Sequence, residues 1–541
     1  MTNSHMKTRQ GYYAMTIDFK SYKPADTQLM IIPVYEGCEL GPKAQKLDLQ
    51  LGNVLKERMR NKTKFNANTG QSLHISVDPV HGMQDIVLLG MGKPQDLTEQ
   101  SVRQLSGSIK NMISSVGESK VTFLADMVDR QKYKGKTLKN EELAAHMMDG
   151  YAASTYAFTK YKTKPLAAGA NDNENEPRVT AIVDDVLGAE LLYAPLKAVT
   201  DSANWARDLG NEPPNKLTPM AYAKRIEEEF DNVPNVKIKK LDENDMADLG
   251  MGGILAVAQG STMNPPRIVI VEYDGTGGLN DRPLALVGKG VTFDTGGNNL
   301  KPGGSMANMK TDMCGSAAVV GAMRALATTQ AQTKAVAIVG LTENMMDGNA
   351  YRPSDIITMM NGKTVEIGNT DAEGRLVLGD CMTYIQREYN PHTVLDFATL
   401  TGAMVAALAD VYTGVFSNDD DLWQKLDAAG KQSQEENWRM PVLHAAFSNA
   451  MKGKDADLSN TGSMAGAGAS TAAAFLHEFI EDAPDGSARA WAHLDIAGTS
   501  RKGGNVSGVG VRMTQKFVSN DIEEKQKVAA PKKSRGGFHM S

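Results

Sequence analysis

The first 185 residues alternate short apolar runs with longer stretches in which apolar residues recur at helical spacing. The runs LMIIPVY and DIVLLGMG are two examples, and EELAAHMMDGYAASTYAF is a stretch of the second kind. Short apolar runs bounded by polar residues are typical of buried strands, whereas apolar residues three and four positions apart indicate a helix. The pattern therefore predicts an N-terminal α/β domain over residues 1–185.

One long stretch of helical spacing follows at residues 186–212. It reads LGAELLYAPLKAVTDSANWARDLGN from Leu187 and stops before Pro213 and Pro214, which forbid the continuation of a helix. We interpret this stretch as a helix that connects two domains.

Residues 213–518 again alternate apolar runs with helical stretches. The apolar runs are PRIVIVEY, PLALVGKG, KAVAIVGLTEN and TVLDFATL. Two stretches with helical spacing lie between them, CGSAAVVGAMRALA and RLVLGDCMTYIQREY. This alternation predicts a second α/β domain, with a mostly parallel central sheet covered by helices on both faces. In such a sheet ligands bind at the carboxyl ends of the strands, so functional residues are expected there.

The end of the chain differs in composition. Residues 519–541 read SNDIEEKQKVAAPKKSRGGFHMS, which is charged and almost without large apolar side chains. We expect this tail to be disordered, because it cannot bury enough apolar surface to offset its loss of entropy on folding.

Composition excludes several classes of protein. The 541 residues carry a net charge of -6, which gives no general attraction to nucleic acid or anionic membranes, so nucleic-acid binding stays possible but is not indicated. No apolar run approaches the roughly 20 residues that cross a bilayer, and residues 1–30 lack the apolar core of a secretory signal. The three cysteines, Cys38, Cys314 and Cys381, form no CxxC motif and suit a reducing compartment, so we expect a cytoplasmic protein.

Charged residues cluster at the carboxyl ends of the predicted strands. The segments GKGVTFDTGGNNLKPGG, MKTDMCG and NTDAEGRL supply them. Their charged side chains include Lys289, Asp294, Lys301, Asp312, Asp371, Glu373 and Arg375. If the sheet is parallel, the four carboxylates can converge from three loops.

Four converging carboxylates need a counter-charge, because each uncompensated buried charge costs several kcal/mol. Two divalent metal ions would supply it, and carboxylate-rich sites suit Mn²⁺, Mg²⁺, Zn²⁺ or Co²⁺. Taken alone, a pair such as Asp371 and Glu373 is more often a hydrated surface turn.

The nine histidines form no HExxH motif, and we interpret them, His493 included, as core or surface residues.

Several strings together resemble the leucyl aminopeptidase family, the two-metal cytosolic type that includes bacterial aminopeptidase A. They are VGKGVTFDTGG, MKTDMCGSAA, NGKTVEIGNTDAEGRLVLGD and LDFATLTGAM, with ARDLGNEPPN upstream and AGASTAAAFLHEF and WAHLDIAGT downstream. The resemblance covers residues 206–499, and NTDAEGRL is highly specific to the family. The N-terminal part is similar only in its α/β character.

The resemblance implies a metal-dependent aminopeptidase that releases leucine-type, apolar N-terminal residues by two-metal activation of a water. It implies that Asp294 and Glu373 bridge the two ions. Lys289 and Asp312 would complete the tighter site, and Asp371 would serve the more exchangeable one. The ions would be Mn²⁺ or Zn²⁺ first, with Co²⁺ or Mg²⁺ as alternatives.

The resemblance also implies a catalytic pair, Lys301 and Arg375, with a bicarbonate ion bound at Arg375 as the base. A pocket for the first side chain would be lined by Met309, Thr399 and Ala497. The substrates would be short peptides with a free N-terminus, and the protein would be a homohexamer.

Two other functions remain open at this stage. A non-catalytic scaffold or a DNA-binding accessory role would depend on the N-terminal domain. A two-metal phosphoesterase could use the same carboxylates, although it would need neither a lysine ligand nor an apolar pocket. The segments NNLKP and MMDG are atypical of the family and put the substrate preference in doubt, while every ligand position is present.

Overall fold

The computed structural model describes residues 16–21, 27–61, 64–80, 83–117, 120–134, 137–163, 178–279 and 282–529. Backbone contacts divide the chain into two compact units, Met1–Thr200 and Asp201–Ser541.

The N-terminal unit is built on a seven-stranded sheet. Its strands are β1 (Ile17–Lys20), β2 (Leu29–Tyr35), β3 (Glu39–Leu40), β4 (Ser72–Val80), β5 (Met83–Gly92), β6 (Lys120–Leu124) and β7 (Arg178–Ile182). The order is β1-β7-β6-β2-β5-β4, with β3 paired to β2. β3 and β4 are antiparallel to their neighbours and the other pairings are parallel.

Helices pack on both faces of this sheet and bury one core on each. They are α1 (Pro42–Gln50), α2 (Val54–Asn61), α3 (Glu99–Val116) and α4 (Asn140–Ser154). Apolar residues of α1 and α2 fill one core, and those of α3 and α4 fill the other. The predicted α/β character of this part of the chain is confirmed.

Helix α5 (Val186–Asn211) occupies the span for which the sequence predicted a long helix. It contains Pro195 and crosses the division between the two compact units at Thr200.

The C-terminal unit contains an eight-stranded sheet, a three-stranded sheet and a two-stranded ribbon. Its strands are β8 (Val236–Leu241), β9 (Arg267–Asp274), β10 (Leu284–Asp294), β11 (Lys334–Asn344), β12 (Ile356–Thr358), β13 (Thr364–Glu366), β14 (Thr393–Ala398), β15 (Thr413–Ser417), β16 (Asn437–Met440), β17 (Leu458–Ser459), β18 (Ala490–Asp495), β19 (Arg501–Lys502) and β20 (Asn505–Val506).

The eight-stranded sheet has the order β16-β15-β18-β14-β10-β11-β9-β8. Its centre, β18-β14-β10-β11, is parallel, and antiparallel pairings join β15, β9 and β8 to it. The mostly parallel sheet predicted from the sequence is confirmed, with antiparallel strands toward its edges. The Asn361-Gly362 turn joins β12 to β13 as an antiparallel hairpin.

The helices of this unit are α6 (Pro219–Phe230), α7 (Glu243–Asp248), α8 (Gly252–Ala258), α9 (Gly303–Met306), α10 (Cys314–Thr328), α11 (Gly374–Tyr389), α12 (Gly402–Leu408), α13 (Asp420–Ser433), α14 (Ala445–Ala450), α15 (Gly468–His477) and α16 (Val511–Ala529). α8, α11 and α15 share one large core with the sheet. On β10, a Cβ on Gly288 would lie 2.6 Å from the Cα of Ser316, so this glycine lets α10 pack closely.

Among the described residues, no helix has the length and apolarity needed to cross a membrane.

The expectation of a disordered tail from Ser519 is wrong for residues 519–529, which form the last turns of α16. Acids and lysines four residues apart stabilise these turns, because such side chains meet on one helix face. Asp521 lies 2.6 Å from Lys525, and its other carboxylate oxygen lies 3.5 Å from Lys425 of α13. Residues 530–541 of the expected tail lie outside the described residues.

A buried carboxylate fastens α11 to two neighbouring segments. Asp380 is fully buried, and its oxygens accept hydrogen bonds from the backbone N–H groups of Ile254 (3.0 Å) and Met360 (2.9 Å). Burial outweighs these hydrogen bonds and raises the pKa of Asp380 to about 7. Between pH 4 and pH 7 the folded protein therefore keeps a proton that the unfolded chain has lost.

We predict that Asp380→Asn changes how stability depends on pH. A carboxyl whose pKa is raised by folding stabilises the folded state below its unfolded pKa, and that contribution is lost as the pH rises through the folded pKa. Asparagine cannot ionise. The Tm of the wild type minus that of the variant should therefore fall by several degrees between about pH 5 and about pH 8 in thermal unfolding. A difference that stays constant or grows with pH would contradict the argument.

Candidate metal centre

The side chain of Lys289, on strand β10, lies against the first turn of α11. Lys289 is a buried residue of β10, and its side chain points toward Gly374 of α11. A Cβ on Gly374 would lie 2.6 Å from the Cε of Lys289. The glycine in NTDAEGRL therefore makes room for the lysine.

Lys289 joins two of the predicted acids. Its Nζ lies 2.8 Å from Oδ2 of Asp312 and 2.7 Å from Oε1 of Glu373. It also donates a hydrogen bond of 3.0 Å to the backbone carbonyl of Thr399. Three loops are thus tied together by one ammonium group.

Lys301 joins the other two acids. Its Nζ lies 2.7 Å from Oδ2 of Asp294 and 2.6 Å from Oδ1 of Asp371. Carboxylate oxygens of Asp294, Asp371 and Glu373 all lie within 4.8 Å of one another. The structure therefore brings the five predicted ligands and Lys301 into one cluster.

Further hydrogen bonds orient the acids. Oδ1 of Asp294 accepts from Asn344 Nδ2 (2.8 Å) and from the backbone N–H of Gly296 (2.8 Å). Thr399 Oγ1 donates to Oδ1 of Asp312 at 2.7 Å. Asn344 is not among the residues predicted from the sequence, although it lies at the carboxyl end of β11, where functional residues are expected in a parallel sheet.

The cluster contains more negative than positive charge. Four carboxylates and two ammonium groups leave an excess of two negative charges, and only the Asp371 side chain, at 32% exposure, has substantial access to water. Burial raises the pKa values of Asp312 and Glu373. Burial alone would lower the pKa of Lys289, but the surrounding carboxylates raise it above its usual value.

Glu373 shows most directly that the donor set fits metal ions. Its Oε2 atom is buried and has no hydrogen-bond partner, although Oε1 pairs with Lys289. A buried carboxylate oxygen without a partner costs free energy unless a cation or a donor reaches it. The excess of two negative charges in the cluster calls for at least one divalent ion, and oxygen-rich ligand sets with an amine suit Mn²⁺ or Zn²⁺.

Arg375 lies beside this cluster in the first turn of α11. Its Nη1 donates to the backbone carbonyl of Asn460 at 2.7 Å, while its Nε is buried without a hydrogen-bond partner. Burial lowers the pKa of Arg375 to about 10, so the guanidinium stays charged at neutral pH. A buried cationic donor without a partner fits an anion.

Family models match both parts of the chain. The catalytic-domain model of the cytosol aminopeptidase family matches residues 204–515, and the N-terminal-domain model of that family matches residues 31–165. The chain belongs to the cytosol aminopeptidase family. This membership confirms the resemblance stated from the sequence, and it makes the chain one of a family of peptide hydrolases.

Relatives match over most of the chain. A probable cytosol aminopeptidase of Chelativorans sp. (strain BNC1) is 39% identical over 515 residues, which are 94% of this chain and 99% of the relative. Another, of Rhizobium etli (strain CIAT 652), is 41% identical over 471 residues, 85% and 90% of the two chains. A similar solved structure is the bottromycin maturation enzyme BotP in complex with Mn, with TM-score 0.75, 28% identity and coverage of 91% and 99%.

The residues expected to line a substrate pocket lie on segments next to the cluster. Met309 is half-buried, and its backbone carbonyl accepts from the N–H of Asp312 at 3.3 Å. Thr399 contacts Asp312 directly, as described above. Ala497 donates its N–H to Oδ1 of Asp495 at 3.0 Å, and the same oxygen accepts from the N–H of Leu400 at 3.2 Å.

His493 lies outside the ligand cluster. It is fully buried, and its Nδ1 is 2.5 Å from Oδ1 of Asp396, whose Oδ2 accepts from Trp491 Nε1 at 2.7 Å. The interpretation of this histidine as a core residue agrees with its position.

We predict that Lys301→Met destabilises the protein when metal ions have been removed by a chelator. The variant leaves Asp294 and Asp371 without their ammonium partner, and breaking a buried ion pair costs about 3–5 kcal/mol of the free energy of unfolding. Thermal unfolding in chelator measures the loss, and saturating Mn²⁺ should restore most of it.

Lys224→Met is the matched control for this prediction. Lys224 pairs with Glu228 at 3.8 Å on an exposed helix face, so its loss should cost about 0.5 kcal/mol or less. Equal destabilisation by the two variants in chelator would show that the cluster has no excess of negative charge to balance.

Proposed function

We propose that this chain is a metal-dependent aminopeptidase that releases leucine-type, apolar N-terminal residues from short peptides by two-metal activation of a water. Residues 213–518 would form its catalytic domain. One observation carries the proposal: four carboxylates and two lysines gather at the carboxyl edge of the sheet with an excess of negative charge, in a chain of the cytosol aminopeptidase family.

The proposed ligands divide between two divalent ions. Asp294 and Glu373 would contact both ions, Lys289 and Asp312 would complete one site, and Asp371 would serve the other. The unpartnered Oε2 of Glu373 supports its bridging role. Lys289 would bind as the neutral amine, because two adjacent dications disfavour the ammonium form.

Manganese is the first candidate for the ion, because the similar enzyme BotP is described in complex with Mn. Zn²⁺ suits the same carboxylate and amine ligands equally well, and Co²⁺ and Mg²⁺ are alternatives. When bound, a pair of such ions polarises the scissile carbonyl and lowers the pKa of a bound water toward neutrality.

Two cationic side chains complete the proposed machinery. Lys301 would stay charged and donate hydrogen bonds to the carbonyl oxygen of the substrate, next to Asp294 and Asp371, whose carboxylates its Nζ contacts. Arg375 cannot accept a proton at neutral pH. It would hold a bicarbonate ion that serves as the base, and its unpartnered buried Nε supports such an anion site.

The pocket for the first side chain would be formed by Met309, Thr399 and Ala497. Met309 and Thr399 both hydrogen-bond to Asp312, a proposed metal ligand, and this supports their assignment. An apolar lining favours leucine-type residues through burial of apolar surface.

We also propose a cytoplasmic homohexamer. The relatives are called cytosol aminopeptidases, and Cys38, Cys314 and Cys381 are free, as suits a reducing compartment. Val411 and Trp438 are 60% and 54% exposed, and Trp438 lies on the edge strand β16, where another subunit would cover it in the proposed assembly. Light scattering of the full chain in solution gives the molar mass that tests the assembly.

Activity on a leucine anilide is the first test of the proposed function. We predict that chelation abolishes hydrolysis and that Mn²⁺, Zn²⁺, Co²⁺ or Mg²⁺, added back singly, restores it to different extents. Glu373→Gln should lower kcat/KM by more than the roughly 10–100-fold that changes around metal ligands typically cost. Glu388→Gln, at an exposed position of the same helix, should leave it unchanged.

A phosphate monoester serves as the competing substrate. Metal-dependent hydrolysis of that ester, with none of the anilide, would replace the proposal by a phosphoesterase function. Anilide hydrolysis that survives both chelation and Glu373→Gln would contradict the metal-dependent mechanism.

A further inference from the structure

Asn460 is a buried residue that contacts both the ligand-bearing turn and Arg375. It follows strand β17 and is fully buried. The turn that it contacts, residues 368–373, carries the proposed ligands Asp371 and Glu373. No periodicity or motif in the sequence marks this asparagine.

The side chain of Asn460 uses its whole hydrogen-bonding capacity on that turn. Its Oδ1 accepts from the backbone N–H groups of Gly368 (2.8 Å) and Asn369 (3.2 Å). Its Nδ2 donates to the backbone carbonyls of Asn369 (2.6 Å) and Ala372 (3.3 Å). An asparagine amide offers two donor hydrogens and one acceptor oxygen with two lone pairs, so all four positions are taken.

The backbone of Asn460 holds the catalytic arginine. Its carbonyl accepts from Nη1 of Arg375 at 2.7 Å, and its N–H donates to the carbonyl of Glu366 at 3.0 Å. Strand β17 lies parallel to β13 in the residues just before, which fixes where this backbone runs. A single residue is therefore anchored to the sheet, to the ligand turn and to the guanidinium.

These contacts set the spacing between the metal ligands and the proposed anion site. Ala372, whose carbonyl Asn460 binds, lies between Asp371 and Glu373 in the chain. Asn369, which also bonds to Asn460, extends these contacts to a metal ligand, because its Oδ1 accepts a hydrogen bond from the N–H of Asp371 at 2.7 Å. Movement of Asn460 would therefore displace both ligands and Arg375 relative to one another.

We propose that Asn460 is a positioning residue for the dimetal site: it fixes the turn that bears Asp371 and Glu373 relative to Arg375. This inference rests on the proposed function, since it assigns a purpose to the same site. Residues that orient metal ligands without contacting the ion typically cost about 10–100-fold in metal affinity or activity when they are changed.

The test compares Asn460→Ala with the wild type in the full chain. We expect Asn460→Ala to raise the Kd for Mn²⁺ of the weaker site and to lower kcat on a leucine anilide, each about tenfold or more, with KM little changed. Calorimetric titration of the chelated protein with Mn²⁺ gives the Kd without reference to activity.

Asn437→Ala is the matched control. Asn437 is also a buried asparagine of the C-terminal unit, and its Nδ2 donates to the carbonyl of Leu426 at 2.9 Å, away from the ligand turn. The control should lower the Tm while the Kd and kcat stay within about twofold of the wild type. If Asn460→Ala behaves in the same way, Asn460 is merely structural and the inference is overturned.

A second variant tests the same contact while leaving Asn460 in place. A Cβ on Gly368 would lie 2.1 Å from Oγ1 of Thr461, so Gly368→Ala forces a shift of that hydroxyl or of the turn next to the contact with Asn460. Weaker Mn²⁺ binding and a lower kcat in this variant would support the inference. Unchanged values in Asn460→Ala, or its failure to fold in saturating Mn²⁺, would count against the inference, which predicts a folded protein with a weakened site.

The wild type separates failure of this inference from failure of the proposed function. A wild type that neither binds Mn²⁺ nor hydrolyses the anilide overturns both. If the wild type binds Mn²⁺ and hydrolyses the anilide, and the variants have the same Kd and kcat, only the proposed role of Asn460 is overturned.

Discussion

An excess of buried negative charge at one edge of a parallel sheet is the constraint on which the site depends. Four carboxylates meet two ammonium groups there, and each lysine bridges two acids at 2.6–2.8 Å. Such an arrangement costs free energy unless more cations are present. The local backbone is adapted to it, since Gly374 leaves space for the Lys289 side chain.

Other buried acids of the same unit show what distinguishes this cluster. Asp396 pairs with His493 and accepts from Trp491, and Asp380 accepts two backbone N–H groups, so each has donors close by. Glu373 instead keeps a buried oxygen without a partner beside a second acid, Asp294. Satisfied acids stabilise the fold locally, whereas unsatisfied neighbouring acids point to cations that the chain itself does not supply.

Sequence reasoning reached the parallel sheet and the cluster because both follow from local patterns. Strands bounded by glycine-rich loops place Lys289, Asp294 and Asp371 at one sheet edge. Contacts that join distant segments could not be predicted in this way. Asp521, near the end of α16, pairs with Lys425 of α13, 96 positions away, and no local pattern shows that contact. Asn460 acts through contacts with residues about 90 positions away, which no local motif records.

Anomalous diffraction from crystals of the full chain grown with Mn²⁺ would show directly whether metal ions balance the buried carboxylates. Two anomalous peaks are expected among Asp294, Asp371 and Glu373, with Lys301 released from its carboxylate partners. Absence of any peak there, with Lys301 still bonded to Asp294 and Asp371, would contradict this expectation.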